Sequence, residues 1–420
     1  MRSSRSLGAL FLAPLFAALL GCPGHKASPE VSAADARVVV PRPSVVASAR
    51  PSSAAPAGPV EPPEIQAVQR EANVWRREHR IIDMHEHIPP VEEALTRAVK
   101  IQDEAGVGLA INLSGGTVTP TADGASAFEY TKAIADHFEP GRFLQYMNLD
   151  YTDWDSPSFA RDAVKQVERG AKLGAAGFKE YKRLGLYLRD KAGKLIRVDD
   201  PKLDGVWKRC GELGLPISIH VSDPRAFWLP LNPTNERWEE LQDHPSWWFG
   251  DPLVYPKREE LLAELDRVIG RHPETTFVSV HFGNDAEELE QVDAAMDRHP
   301  NMWIDLAARV PEVGRHDPEL VRRFFLKHQD RILFATDMSV GEELVLGSGG
   351  SGPPPTDADA AVFFQKHWRW METRDANFAH MTPIQGRWTI SGIGLPADVL
   401  KKVYFENARR LLARSLPPGK

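Results

Sequence analysis

Four histidines and one aspartate stand where this sequence could do chemistry. In Ile81-Ile82-Asp83-Met84-His85-Glu86-His87 two histidines are two residues apart. Side chains alternate along a strand, so that spacing turns both to one side, where they can share an ion. His220 closes the apolar run Ile217–Val221, His281 ends Phe277–His281, and Asp337 follows Phe334-Ala335-Thr336. Neutral imidazoles and a carboxylate at ~2 Å suit zinc and similar divalent ions, with a position left for water. A lone His-x-His is a weak signal. Five such groups, each at the end of an apolar run, are a strong one.

The elements that must position them alternate. Apolar runs begin at Ile81, Gly108, Phe143, Ala175, Ile217, Phe277, Met302 and Ile332, and the spacing predicts helices over 92–105, 126–137, 158–173, 204–213, 258–271, 287–299, 318–329 and 397–414. Eight strands each followed by a helix is the sequence form of a (β/α)8 TIM barrel, whose active site gathers at the C-terminal ends of the strands. A doubly wound open sheet competes; it requires a reversal of strand order, which sequence does not reveal. Glycine or proline stops helices before strands in Leu213-Gly214-Leu215-Pro216, Arg271-His272-Pro273 and Arg298-His299-Pro300, which puts His272 and His299 on the opposite face, away from the chemistry.

The chain has 420 residues, 42% of them hydrophobic. Residues 1–63 carry six basic and three acidic groups, a net of +3 against −7 for the whole chain, so the remainder carries −10. A globular part this acidic lacks the basic stripe that nucleic acid requires. The two cysteines, Cys22 and Cys210, do not make a disulfide scaffold. Met1–Arg5 is basic and Leu7–Leu20 apolar, which together read as an export signal over residues 1–21. Its end, Leu19-Leu20-Gly21-Cys22, resembles the lipobox of bacterial lipoproteins, and that resemblance implies cleavage before Cys22 and a lipid on its sulfur. Pro23, in place of aspartate, would favour the outer membrane of a Gram-negative cell. Residues 22–63 are rich in Pro, Ala and Ser and read as a disordered, lipid-anchored linker, with 64–420 as the barrel.

Further motifs widen the pattern: Gly177-Phe178-Lys179, Ile219-His220, Val280-His281-Phe282-Gly283-Asn284, Ala335-Thr336-Asp337 and Glu406-Asn407-Ala408-Arg409-Arg410-Leu411. With Ile82–His87 they resemble, in order, the amidohydrolase superfamily, in the amidohydrolase-2 branch that includes aminocarboxymuconate semialdehyde decarboxylase-like enzymes. The resemblance implies a mononuclear site of His85, His87, His220 and Asp337, expected to take Zn2+, one ion rather than two. His281 would be the acid/base, with Asp337 sharing in catalysis. In binuclear relatives a carbamylated lysine at the end of strand four bridges two ions, and Lys179 is the residue in question; the alternatives are pairing with Asp83 or Asp337, or contact with an anionic substrate.

Substrate contacts are sought in the aromatic-rich loop after strand five (Arg225, Trp228), in Asn284 and Arg309 beyond strands six and seven, and in a helix over 363–370 near the mouth (His367, Arg369). For the loop's tryptophans the competing role is packing on one another. Three functions follow: a hydrolase of an amide, ester or lactone; a non-oxidative decarboxylase or hydro-lyase of a carboxylated substrate; or an inactive, lipid-tethered binding protein. Expected partners are a small-molecule substrate and the membrane through the lipid, with a homo-oligomer left open.

Overall fold

The computed structural model describes residues 62–416; the export signal, Cys22 and the linker up to residue 61 lie outside the described residues. The first helix, Pro63–Arg77, starts on a proline, whose fixed φ and missing N–H suit a helix's first turn. Eight parallel strands follow: β1 (Ile81–His87), β2 (Val107–Asn112), β3 (Phe143–Met147), β4 (Gly177–Glu180), β5 (Ile217–Ile219), β6 (Phe277–Ser279), β7 (Met302–Asp305) and β8 (Ile332–Leu333). Each pairs with the next in parallel register from β1 to β8. A hairpin of β9 (Met338–Val340) and β10 (Leu344–Leu346) continues the sheet beyond β1. The ring closes where the chain after β8 meets β1: Met84 N–H donates to Phe334 O at 3.0 Å, and Asp337 N–H to His85 O at 2.9 Å. The fold is a TIM barrel.

Parallel strands lie between the packed interior and a helical layer, so β2 is buried at every position. The helices Glu92–Ala105, Asp204–Leu213 and Arg258–Arg271 keep the bounds their periodicity predicts. Gly106 ends the first of them at φ +84°, and a Cβ there would lie 2.5 Å from the Arg76 backbone, so only glycine fits.

Like β5, which stops at Ile219, strands β8 and β6 end earlier than their apolar runs. After β8, Asp83 accepts from Thr336 N–H at 3.2 Å and from Thr336 Oγ1 at 2.6 Å, replacing the ladder, and Asp337 then turns left-handed at φ +61°. After β6, four consecutive residues have positive φ: His281, Phe282, Gly283 and Asn284. For His281 and Phe282 this costs roughly 1–2 kcal/mol each, and such strain gathers at functional sites.

The helix expected near the mouth is longer, Asp357–Glu372, and lies on the barrel's outer layer. Arg97 and Lys100 of the helix after β1 grip Asp357 at 2.9 and 3.0 Å, and Arg76 of the first helix pairs with Glu372. His367 is therefore buried, hydrogen-bonded to Phe363 O at 2.9 Å, and Arg369 pairs with Asp375; neither is available to a substrate. Among the described residues no helix is long and apolar enough to cross a membrane.

Candidate metal centre at the strand ends

β1 carries His85 and His87 to the open end of the ring, and the turn after β8 lays Asp337 beside them. Asp337 Oδ1 is 3.4 Å from His85 Nε2 and 3.3 Å from His87 Nε2, so one carboxylate oxygen faces both imidazoles. The other nitrogens are tied behind: His85 Nδ1 to Asp305 Oδ2 at 3.0 Å and His87 Nδ1 to Ser114 Oγ at 2.7 Å. Such ties fix which nitrogen is offered to a metal. His281 Nδ1–H donates to Ala307 O at 2.9 Å, which leaves Nε2 free. One nitrogen each of His85 and His281 and a carboxylate oxygen of Asp337 lie within 4.8 Å of one another. A divalent ion fits this donor set: imidazole nitrogens with their backs held, and an ionised carboxylate among them.

Electrostatics agree with the geometry. Burial, with Lys179 nearby, holds His85 well below the usual histidine range, and burial beside His220 does the same for His281, so both are neutral bases. Burial alone would raise Asp337; the imidazoles around it, His85, His87 and His281, outweigh burial and hold the carboxyl well below the usual range. The result is a lone-pair-rich gap with an anionic edge.

His220 is placed differently. Its ring lies 4.2 Å from that of His281, but Nε2 donates to Ser222 O at 3.1 Å and lies 3.4 Å from Asp223 Oδ1, so Nδ1 is the nitrogen it has to offer. Burial lowers its pKa to about 4. Lys179 is fully buried, and its Nζ has no hydrogen-bond partner, so the alternative of pairing with Asp83 or Asp337 is not realised. Burial brings its ammonium down to about 8, with Asp305 and Asp337 opposing that shift.

Three of the four substrate candidates are committed elsewhere. Arg225 is half exposed and pairs with Glu288. Trp228 donates its Nε1 to Pro256 O at 3.0 Å and packs on Phe249 with ring centres 4.9 Å apart, so the loop's aromatics do pack on one another. Asn284 is saturated: its oxygen accepts from Val221 and Ser222 N–H, and its amide donates to Ile219 O and Ser279 Oγ. That side chain ties β5 to the left-handed turn and has nothing left for a ligand. The fourth, Arg309, is buried beyond the end of β7 and pairs at 3.3 Å with Asp223, which itself lies 3.4 Å from His220 Nε2.

Several residues enter only with the structure. Asp305 ends β7 and holds His85; Asp223 receives Lys182 at 2.6 Å as well as Arg309; Ser114, behind His87, leans on Tyr181 OH at 3.1 Å. Asp305 was open to the same end-of-strand rule that picks out Asp337. Lys182 and Ser114 sit in loops where no periodicity points to them.

Comparison with known proteins adds a family. A family model described as Amidohydrolase matches residues 82–414. Among solved structures, an uncharacterised TIM-barrel protein from Bordetella bronchiseptica is 16% identical, with a TM-score of 0.47, over 80% of this chain and 99% of that one. The 2,6-dihydroxybenzoate decarboxylase from Rhizobium is 18% identical (TM-score 0.45) over 80% and 99%. A dihydroxybenzoic acid decarboxylase from Polaromonas, with bound manganese and the inhibitor 2-nitroresorcinol, is 17% identical (TM-score 0.46) over 79% and 96%. No curated protein matches.

Proposed function

This chain belongs to the amidohydrolase family and is an enzyme of the metal-dependent amidohydrolase superfamily, and on that premise we propose that it hydrolyses an amide, ester or lactone of a small organic molecule. The observation that carries the reading is the single carboxylate oxygen of Asp337 set 3.4 and 3.3 Å from the Nε2 atoms of His85 and His87. His85, His87 and Asp337 would hold one divalent ion, with His220 Nδ1 as the further donor; the N/O donor set suits Zn2+. The ion supplies Lewis-acid polarisation and brings water ionisation towards neutral pH.

The chain's own residues do the rest. His281 Nε2, unprotonated because Nδ1–H is spent on Ala307 O, takes a proton from the attacking water. It then gives that proton to the departing oxygen or nitrogen, so water and the acyl bond are exchanged for an acid and an alcohol or amine. Export and lipid attachment at Cys22 are part of the proposal; Cys22→Ser should move the protein from the membrane fraction to the soluble one, and unchanged fractionation would remove the anchor.

A second reading has its own observation. Lys182 and Arg309 both reach Asp223, two cations on one buried carboxylate, and the surplus positive charge beside His220 suits a substrate carboxylate and hence decarboxylation. Assaying acid release against carbon dioxide release over lactones, esters, amides and carboxylated aromatics separates the two. Hydrolysis lost with a chelator and restored by Zn2+ or Mn2+ is the expected result. Carbon dioxide without hydrolysis would replace it with the second reading, and bound metal without turnover would leave a tethered binding protein.

A further inference from the structure

We propose that Asp305 is a positioning residue that fixes two histidines of the site at once, setting the tautomer of His85 and the direction of His281. The claim rests on the metal reading above and on neither choice of reaction. The carboxylate is completely buried at the end of β7. Its Oδ2 lies 3.0 Å from His85 Nδ1, the position from which an ionised carboxylate accepts from Nδ1–H. Its Oδ1 accepts from the backbone N–H of His281 at 2.7 Å and of Ala307 at 3.3 Å. Ala307 closes the circuit, because its carbonyl accepts from the His281 ring at 2.9 Å.

Three N–H donors therefore point at two oxygens, and a carboxylate is the side chain of this size that accepts on both. On one side the consequence is a tautomer. With its proton held at Nδ1, His85 presents a bare Nε2 to the gap it shares with Asp337. On the other side the consequence is a direction. His281 opens the left-handed turn at φ +55°, a conformation that persists only where the surroundings hold it. The bond from its N–H to Asp305 supplies that hold, and the ring, tied to Ala307, is left with Nε2 free.

Asparagine separates positioning from packing, because it is nearly the same shape but has one acceptor. With its oxygen towards the His281 and Ala307 N–H groups, its NH2 meets His85 Nδ1, which must then accept. The His85 proton moves to Nε2, the nitrogen a metal needs bare. The opposite orientation sets donor against two donors.

The test compares full-length wild type and Asp305→Asn, stripped of metal and labelled with 15N-histidine. Long-range 15N–1H spectra read the tautomer of His85, assigned by its loss in His85→Ala, and chelator competition reads Zn2+ affinity. Expected are an Nδ1–H tautomer in wild type, an Nε2–H tautomer in Asp305→Asn, and a fall in Zn2+ affinity of about 10–100-fold. Asp305→Asn with the wild-type tautomer and affinity would overturn the proposal. Glu372→Gln is the control for general loosening: Glu372 is a buried carboxylate between Arg76 and Tyr404. It should lower the melting temperature and leave Zn2+ affinity alone; an equal loss of affinity there would also overturn the proposal. Should wild type bind no divalent ion, the metal reading fails, while the His85 tautomer still decides the role of Asp305.

Discussion

Two clusters in this molecule share the ingredients of a metal site, and they differ in what their donors are doing. At the strand ends, His85, His281 and Asp337 bring ligand atoms within 4.8 Å of one another; on the outer layer Asp293, Asp297 and His328 do the same. The outer cluster joins the helices Leu289–Arg298 and Pro318–His328, and its cation is already present. Lys327 Nζ lies 2.8 and 2.9 Å from the two oxygens of Asp293 and 2.7 Å from Asp297, while His328 Nε2 is spent on Asp293 at 2.6 Å. At the strand ends the rear nitrogens are spent and the front ones are free, and the buried Lys179 makes no hydrogen bond. Residue type and proximity are common to both; availability belongs to one.

The largest effect expected of this difference is at Asp337. Asp337→Ala should abolish metal binding and activity, a loss beyond the ~10–100-fold that removing an outer partner costs. Metal content by mass spectrometry checks it, and retention of a full equivalent would erase the contrast between the clusters.

His367 sharpens the comparison from another side, as a buried histidine with no carboxylate to share. Burial holds its pKa at about 4, against an ordinary value of 6.5. Above pH 6.5 the group is neutral folded and unfolded, and its contribution to stability is whole. Between pH 6.5 and 4 the unfolded chain takes up a proton that the folded one refuses, so stability falls by about 1.4 kcal/mol per pH unit on this account. Denaturant titrations of wild type and His367→Met at pH 7.5 and 5 should differ by that slope. Several carboxyls titrate in the same window, with Asp83 and Glu180 pushed by burial up to about 7; they act in both proteins and cancel in the difference. Equal slopes would show that His367 is protonated in the fold.

At the outer cluster the effects should be small. Asp297→Asn removes one arm of a half-exposed pair and should cost less than ~1 kcal/mol by chemical denaturation, with metal content unchanged. Lys327→Met is the more pointed substitution. If availability decides, taking the lysine away should let Asp293, Asp297 and His328 accept a second divalent ion at millimolar concentration, seen by calorimetry. Failure to gain that ion would mean the cluster lacks more than a vacancy.

The sequence carried the barrel and the polar groups at its rim, and physical reasons mark where it stopped. Helices such as Asp204–Leu213 could be bounded because an apolar stripe and a glycine stop are local signals. The early ends of β6 and β8 were not, since the left-handed turns at His281 and Asp337 depend on Asp305 and Asp83, which are distant in sequence, and on bonds from Asn284 to the segment after β5. The same holds for individual roles. Asn284 looks like a substrate contact by position and becomes a tie by hydrogen-bond count. Asp305 stands at a strand end like Asp337, yet its oxygens meet His85 and the His281 backbone, and only the three-dimensional neighbourhood tells a carboxylate that faces the gap from one that stands behind it.

Anomalous diffraction from crystals soaked in Zn2+ addresses the central claim most directly. The account predicts one strong peak bounded by His85 Nε2, His87 Nε2 and the Asp337 carboxylate. Density at Asp293, Asp297 and His328 instead, or none at the strand ends, would contradict it.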